Sequence, residues 1–278
     1  MLFRSSVADW DADGDFDLLL ANAEGDLLVS TDRGKPGRPL WSEPVPLLAG
    51  GVPFHIEAGP GGSIQGPSED RWGYLNVAVS DWRDSGLPEL ITCDVLGQVL
   101  YFANIGSREA PVLAAPVPFT WQGKPFKTVW RQRPQAVRRF PDKPQELLCL
   151  DQEGYLTLYQ RAQENPTALV SATRLCYESG EEMKLDGFSG LVGRSKFAVC
   201  DWDADGDFDL LLGLIRAQPL AQPEGKATLL LIENVGTTEA PVFARPRKLL
   251  CGGAPMGCGC HSWTPEPVHL PGDGRLGL

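Results

Sequence analysis

The stretch Asp9–Leu20, DWDADGDFDLLL, returns letter for letter at Asp201–Leu212. The two copies start 192 residues apart, so the chain is built from repeats. Each copy sets carboxylates at loop positions 1, 3, 5 and 9 and glycine at position 6. In the first copy these are Asp9, Asp11, Asp13, Asp17 and Gly14; in the second, Asp201, Asp203, Asp205, Asp209 and Gly206. Alternate side chains of a tightly curled loop converge on one point, and the glycine frees the backbone for the turn. A hard cation such as calcium takes roughly six to eight oxygens at about 2.3–2.6 Å. The carbonyls of Asp15 and Asp207, at position 7, can each add one more. Carboxylates crowded in this way repel one another unless a cation sits among them, so two calcium ions are expected. An EF-hand would carry a bidentate Glu at position 12, where this chain has Leu20 and Leu212. The apolar run that follows predicts a strand, and hence a strand–calcium loop–strand hairpin.

A second internal match sets the period. ANIGSREAPVLAAP (Ala103–Pro116) reappears as ENVGTTEAPVFARP (Glu233–Pro246), 130 residues on. Both offsets are multiples of about 64–65 residues, the size of a large propeller blade. The fold expected is an all-β propeller of four-stranded blades, with four complete units and the first strand of a fifth. Units are expected at about 1–74, 75–134, 135–194 and 195–268, with a partial unit at 269–278. In unit two the loop reads DWRDSGLPE, with Arg83 at position 3 and Ser85 at position 5. The Arg83 guanidinium is expected to stand in for the missing cation. Unit three aligns through Glu146 and has Arg138 and Phe140 where aspartates are needed, so no calcium belongs there. In unit five, Asp273 and Gly274 match positions 5 and 6. Because a propeller must close on itself, a start and a stop at these points suggest a piece of a longer chain.

Composition agrees. With 31 Gly and 24 Pro in 278 residues, short strands and many turns are favoured over helices. No apolar run is long enough to span a membrane, and no secretion signal is visible. The net charge of −11 is concentrated around the two loops and argues against nucleic acid as a partner. Of seven cysteines, Cys93, Cys149 and Cys200 lie in strand-like apolar runs and read as small buried hydrophobes. Trp10, Trp82 and Trp202 read as blade contacts.

VADWDADGDFDLLL, VCDWDADGDFDLLL and the later NxGxxxAP turn resemble the FG-GAP/VCBS repeats, the calcium-loop blades of integrin α-subunit propellers and of many secreted bacterial proteins. The resemblance covers most of the chain at the level of blades. It implies calcium in the loop joining a blade's first two strands and a ligand on the opposite face. It also implies an extracellular or cell-surface location, and a monomer if the propeller is complete. It does not imply a single activity.

If that polarity holds, the segments leading into each first strand share the ligand face. They carry His55, Trp72 and Tyr74 before unit two; Trp130, Arg131 and Arg133 before unit three; Arg194 before unit four; and His261 and Trp263 before unit five. Tyr155, in a turn between second and third strands, joins them. Aromatic rings stack on pyranose faces, and guanidinium groups grip carboxylates. The function expected first is therefore glycan binding. A second reading is polysaccharide lyase chemistry, in which His55, His261 or Tyr74 removes the C5 proton of a uronate and Arg131 neutralises its carboxylate. A third is an adhesive module that binds protein. Serine-hydrolase, zinc-protease and phosphate-loop motifs are all absent.

Overall fold

The computed structural model describes residues 3–35, 38–185, 195–214, 227–258, 264–269 and 276–278. Four blades of a β-propeller are built as follows. Unit one has β1 (Phe3–Ala8), β2 (Asp17–Asn22), β3 (Leu27–Ser30) and β4 (Val45–Pro46). Unit two has β5 (Asn76–Ser80), β6 (Glu89–Cys93), β7 (Val99–Phe102) and β8 (Val117–Pro118). Unit three has β9 (Gln135–Val137), β10 (Glu146–Leu150), β11 (Leu156–Arg161) and β12 (Ala168–Arg174). Unit four has β13 (Lys196–Cys200), β14 (Asp209–Leu214), β15 (Ala227–Ile232) and β16 (Arg247–Lys248). A last antiparallel pair, β17 (Val268–His269) with β18 (Leu276–Gly277), follows the fourth blade. No helix among the described residues is long and apolar enough to cross a membrane.

The register repeats as the sequence period requires. The residue before each loop faces loop position 9: Ala8 with Asp17, Ser80 with Glu89, Val137 with Glu146, Cys200 with Asp209. Val268 faces Gly277 in the same register. Second strands are apolar on both faces, and those of units two and three are packed from both sides. Leu90 joins Leu19 and Ala21 of unit one, whereas its neighbour Ile91 joins Leu147 and Cys149 of unit three. Leu148 turns the other way, toward Leu210 and Leu212 of unit four. Burying one such side chain contributes roughly 1.5–3 kcal/mol.

After its fourth strand each unit adds a small hairpin, closed by a backbone bond to the residue at the strand's end: Phe54 to Leu47, Phe126 to Phe119, Met183 to Leu175 and Met256 to Leu249. The hairpins of units one to three reach forward and pair in parallel with the next blade. Ala49 bridges Leu113, Thr120 and Trp121 pair with Ala168 and Leu169, and Cys176 and Tyr177 pair with Val242 and Phe243.

Trp10 and Trp82 are buried between adjacent blades, and Trp202 is half buried against its own blade. Cys93 and Cys149 are buried and Cys200 half buried; all three are free thiols, pushed upward by burial. We expect Leu148→Ala, which empties a fully buried site between units three and four, to lower stability by about 2–5 kcal/mol in urea unfolding.

Candidate metal centres and ligand-binding face

In an antiparallel blade the loops between strands 1 and 2 and between strands 3 and 4 share one end. The turns between strands 2 and 3 share the other end with the segments leading into the first strands. The two intact acidic loops therefore lie on one face. In the first, ligand oxygens of Asp9, Asp11 and Asp17 all come within 4.8 Å of one another; Asp201, Asp203 and Asp209 do the same in the second. Asp9 Oδ1, Asp11 Oδ1 and Asp207 Oδ1 are buried with no hydrogen-bond partner. Burial, together with the neighbouring carboxylates, pushes Asp17 and Asp209 upward, and pushes Asp207 up to about 6. Orphaned buried oxygens and raised carboxyls are what a cluster short of positive charge produces, and they fit a hard cation. Asp13 and Asp205 instead accept the backbone N–H of Asp15 and Asp207, at 2.9 and 3.0 Å, and so shape the turn.

The broken loop of unit two keeps the backbone of the intact ones. Position 4 is left-handed in units one, two and four (Ala12 φ 61°, Asp84 φ 61°, Ala204 φ 64°), and position 6 is a glycine with φ of 94°, 78° and 95°. What changes is the counter-charge. Arg83 Nε sits 2.6 Å from Oε1 of the fully buried Glu89, whose Oε2 accepts the Arg83 N–H. In unit three it is Arg139, which the loop alignment did not single out, that forks onto Glu146, Nη2 to Oε1 at 2.8 Å. Arg108, also unforeseen, reaches from unit two to the Asp9 carbonyl at 2.7 Å and to its carboxylate.

On the opposite face the predicted residues separate into two kinds of surroundings. His55, half exposed, holds Nδ1 2.7 Å from Asp26 Oδ1 and Nε2 3.9 Å from Glu57 Oε2. With Glu24, Arg71 and Trp72 these residues line a hollow of about 400 Å³. Glu24 and Asp26 belong to the AEGD turn between β2 and β3; the signal for them was that turn's place on this face. Behind the hollow Trp72 stacks on Tyr74, with centroids 5.8 Å apart and planes at 19°. Tyr74 meets the edge of Trp130, and the Arg131 guanidinium lies between the two rings, 3.3 and 3.8 Å from their centroids.

Four expectations change as a result. Arg131 is buried, and beyond the two rings it bonds Gln65 at 3.2 Å and faces Glu69 at 3.7 Å, so it clamps the loop and does not present a guanidinium to a uronate. Tyr74 donates its hydroxyl to Glu69 at 2.7 Å, and burial and that carboxylate raise it, which is the wrong direction for a base. Arg133 is a buried tie between units, bonded to Val77 O, Pro265 O, Ser6 Oγ and Glu266. Tyr155 is covered by Arg174, whose guanidinium lies 4.0 Å from its ring centroid. Trp130 is buried, yet it walls a second hollow of about 510 Å³ with Ser63, Leu96, Lys127 and Gln152. Arg194, His261 and Trp263 lie outside the described residues.

No family model and no curated protein matches the chain. Among solved structures, the catalytic domain of the Coprinopsis cinerea GH62 α-L-arabinofuranosidase aligns with a TM-score of 0.52 at 15% identity, over 92% of this chain and 70% of that one. A lectin of Agrocybe aegerita, described for specific recognition of non-reducing terminal N-acetylglucosamine, aligns with a TM-score of 0.45 at 14% identity, over 88% of this chain. The chain spans about half of the lectin's length (52%). At such identities the likeness is one of fold.

Two outcomes follow from the side-chain geometry. Arg83→Ala leaves Glu89 buried without its cation and should cost about 3 kcal/mol by thermal or urea unfolding; adding Glu89→Leu should recover most of it. Asp26 is held below its ordinary 3.8: burial acts upward, but the bonds from Asn22 and His55 outweigh it. That stabilisation is present above the unfolded value and is lost as pH falls through the folded one. Asp26→Asn should therefore flatten the dependence of Tm on pH in the window below 3.8.

Proposed function

We propose that this chain is a calcium-stabilised propeller that binds a glycan in the Trp72 hollow, on the face away from the acidic loops. The observation that carries the reading is the composition of that hollow. A half-buried indole forms one wall, and Glu24, Asp26, Glu57, His55 and Arg71 converge around it. An aromatic platform ringed by acceptors and a few donors suits a pyranose, whose apolar face stacks while its hydroxyls donate outward. Three carboxylates against one arginine and one histidine favour a neutral sugar over a uronate. The Arg131 clamp removes the expected neutraliser from the lyase reading, which ranks below binding. The carbohydrate context of the two fold neighbours is compatible with a glycan ligand but carries no weight at their identities.

Asp9, Asp11 and Asp17 would hold one calcium, and Asp201, Asp203 and Asp209 the other, each contributing structural charge compensation at its hairpin. Sites of this open, carboxylate-rich kind suit the millimolar calcium outside cells, which supports an extracellular or cell-surface location.

Glycan-array screening followed by calorimetry tests the binding reading. We expect neutral oligosaccharides to bind, Trp72→Ala to weaken binding by about tenfold or more, and absorbance near 235 nm to stay flat on uronate polymers. A folded, calcium-loaded chain that binds no glycan would remove the proposal. For the metal, a ligand at a hundredfold excess over its Kd stabilises by about 2.7 kcal/mol per site. Chelation should lower Tm accordingly, and Asp11→Asn with Asp203→Asn should abolish that sensitivity. An unchanged Tm on chelation would refute bound calcium.

A further inference from the structure

Three blade junctions are closed by the same parallel bridge, and their contact residues are covered: Ala49 and Leu113, Leu169, Tyr177 and Phe243 are all 5% exposed or less. The counterpart hairpin of unit four, Leu250–Cys251 with Ala254–Pro255, pairs only with itself among the described residues. Leu250 is 58% exposed, and Cys251 is an exposed thiol where units one and three bury Ala49 and Tyr177. The receiving side of unit one is equally bare. Trp41 bridges Asp32 as Leu113 bridges Asn104 and Phe243 bridges Asn234, which makes it their counterpart, yet Leu40 and Trp41 are 65% and 41% exposed.

The packing inside the blades agrees. At loop position 10, Leu90, Leu147 and Leu210 are fully buried against the preceding blade, whereas Leu18 is only half buried. Ile91, Val99, Tyr101 and Phe119 of unit two pack on Leu147, Cys149 and Tyr159 of the next blade. Among the described residues, their counterparts Leu211, Leu229, Leu231 and Leu249 form a small cluster that includes no residue of another unit. Unit four is followed by the antiparallel pair of β17 and β18. Just before β17, Glu266 accepts bonds from Ser6 Oγ at 3.0 Å and Val7 N at 2.9 Å, which seats this segment against β1.

We propose that the unit-four hairpin and the Leu40–Trp41 edge form a two-sided socket for the outer strands of a fifth blade. The occupant is a strand–turn–strand segment with the chemistry of Val99–Pro118, its equivalent of Leu113 lying on Cys251 and its own hairpin covering Trp41. A second copy of the chain is disfavoured, because the receiving edges of units two to four are already occupied by the hairpin of the preceding unit. The inference does not depend on the glycan reading.

In repeat register Leu278 corresponds to Leu90, so the chain extended after Leu278 by a copy of residues 91–118 supplies the segment. We expect alkylation of Cys251, followed by mass spectrometry, to slow by at least about tenfold, and amides at 40–42 and 250–254 to gain hydrogen-exchange protection. The same extension with its copy of Leu113 changed to Asp should lose both effects. Should the extended chain fail to melt cooperatively, the segment added as a separate peptide to the original chain is read in the same two ways. Unchanged alkylation and exchange with the segment present would overturn the proposal. So would protection in the original chain that rises with concentration alongside a dimer mass, which would assign the socket to a second copy.

Discussion

A buried carboxylate at the ninth loop position is the interaction on which each blade depends. Asp17 accepts the N–H of Trp10 at 2.8 Å and of Asp32 at 2.9 Å, joining the start of the loop to the end of the third strand. Asp209 does the same for Trp202 and Asn234. Burial raises a carboxyl in such a place, and positive charge beside it favours the ionised form. The four blades solve this in two ways. Units one and four surround it with further aspartates, for which a cation is the compensating charge we propose; units two and three bring in Arg83 and Arg139 from the same loop. The left-handed backbone at Ala12, Asp84 and Ala204 is common to both solutions, so the turn does not rely on the identity of its charge.

Charge compensation also organises the other face. Arg131, Tyr74 and Glu69 satisfy one another, and the strained positive φ of Tyr74 (42°) and Arg131 (60°) is held by that mutual packing. The clamp is a wall and not a reactive group. It stiffens the stack on which Trp72 rests, and so leaves a rigid aromatic surface beside the acceptor-rich hollow. Preorganised rings lose little entropy when a ligand docks.

Blade-to-blade contact adds a third layer. Alternating side chains of the second strands of units two and three are shared between two interfaces, so each of these units stabilises both of its neighbours. The parallel bridges at Ala49, Trp121 and Tyr177 stitch the outer rim, where strands are short and apolar area is scarce. Such quasi-repeat packing places unlike loops in equivalent positions, which is how one scaffold carries metal-type loops and arginine-type loops side by side.

The duplicated DWDADGDFDLLL and the NxGxxxAP turns determined the blade, its period and the register at every loop, because strand pairing and turn geometry are local and repeat with the residues that impose them. The acidic cluster was equally legible, since its ligands lie within one loop. The ligand face was not. Arg131 and Arg133 look like anion grips in the sequence, but their partners Glu69, Gln65, Val77, Pro265 and Glu266 come from distant segments that only the folded ring brings together. The same holds for Glu24 and Asp26, which become part of a hollow only when the segment from His55 to Trp72 folds over the β2–β3 turn. A side chain's type sets what it can bond; the tertiary structure decides which of those bonds are already made.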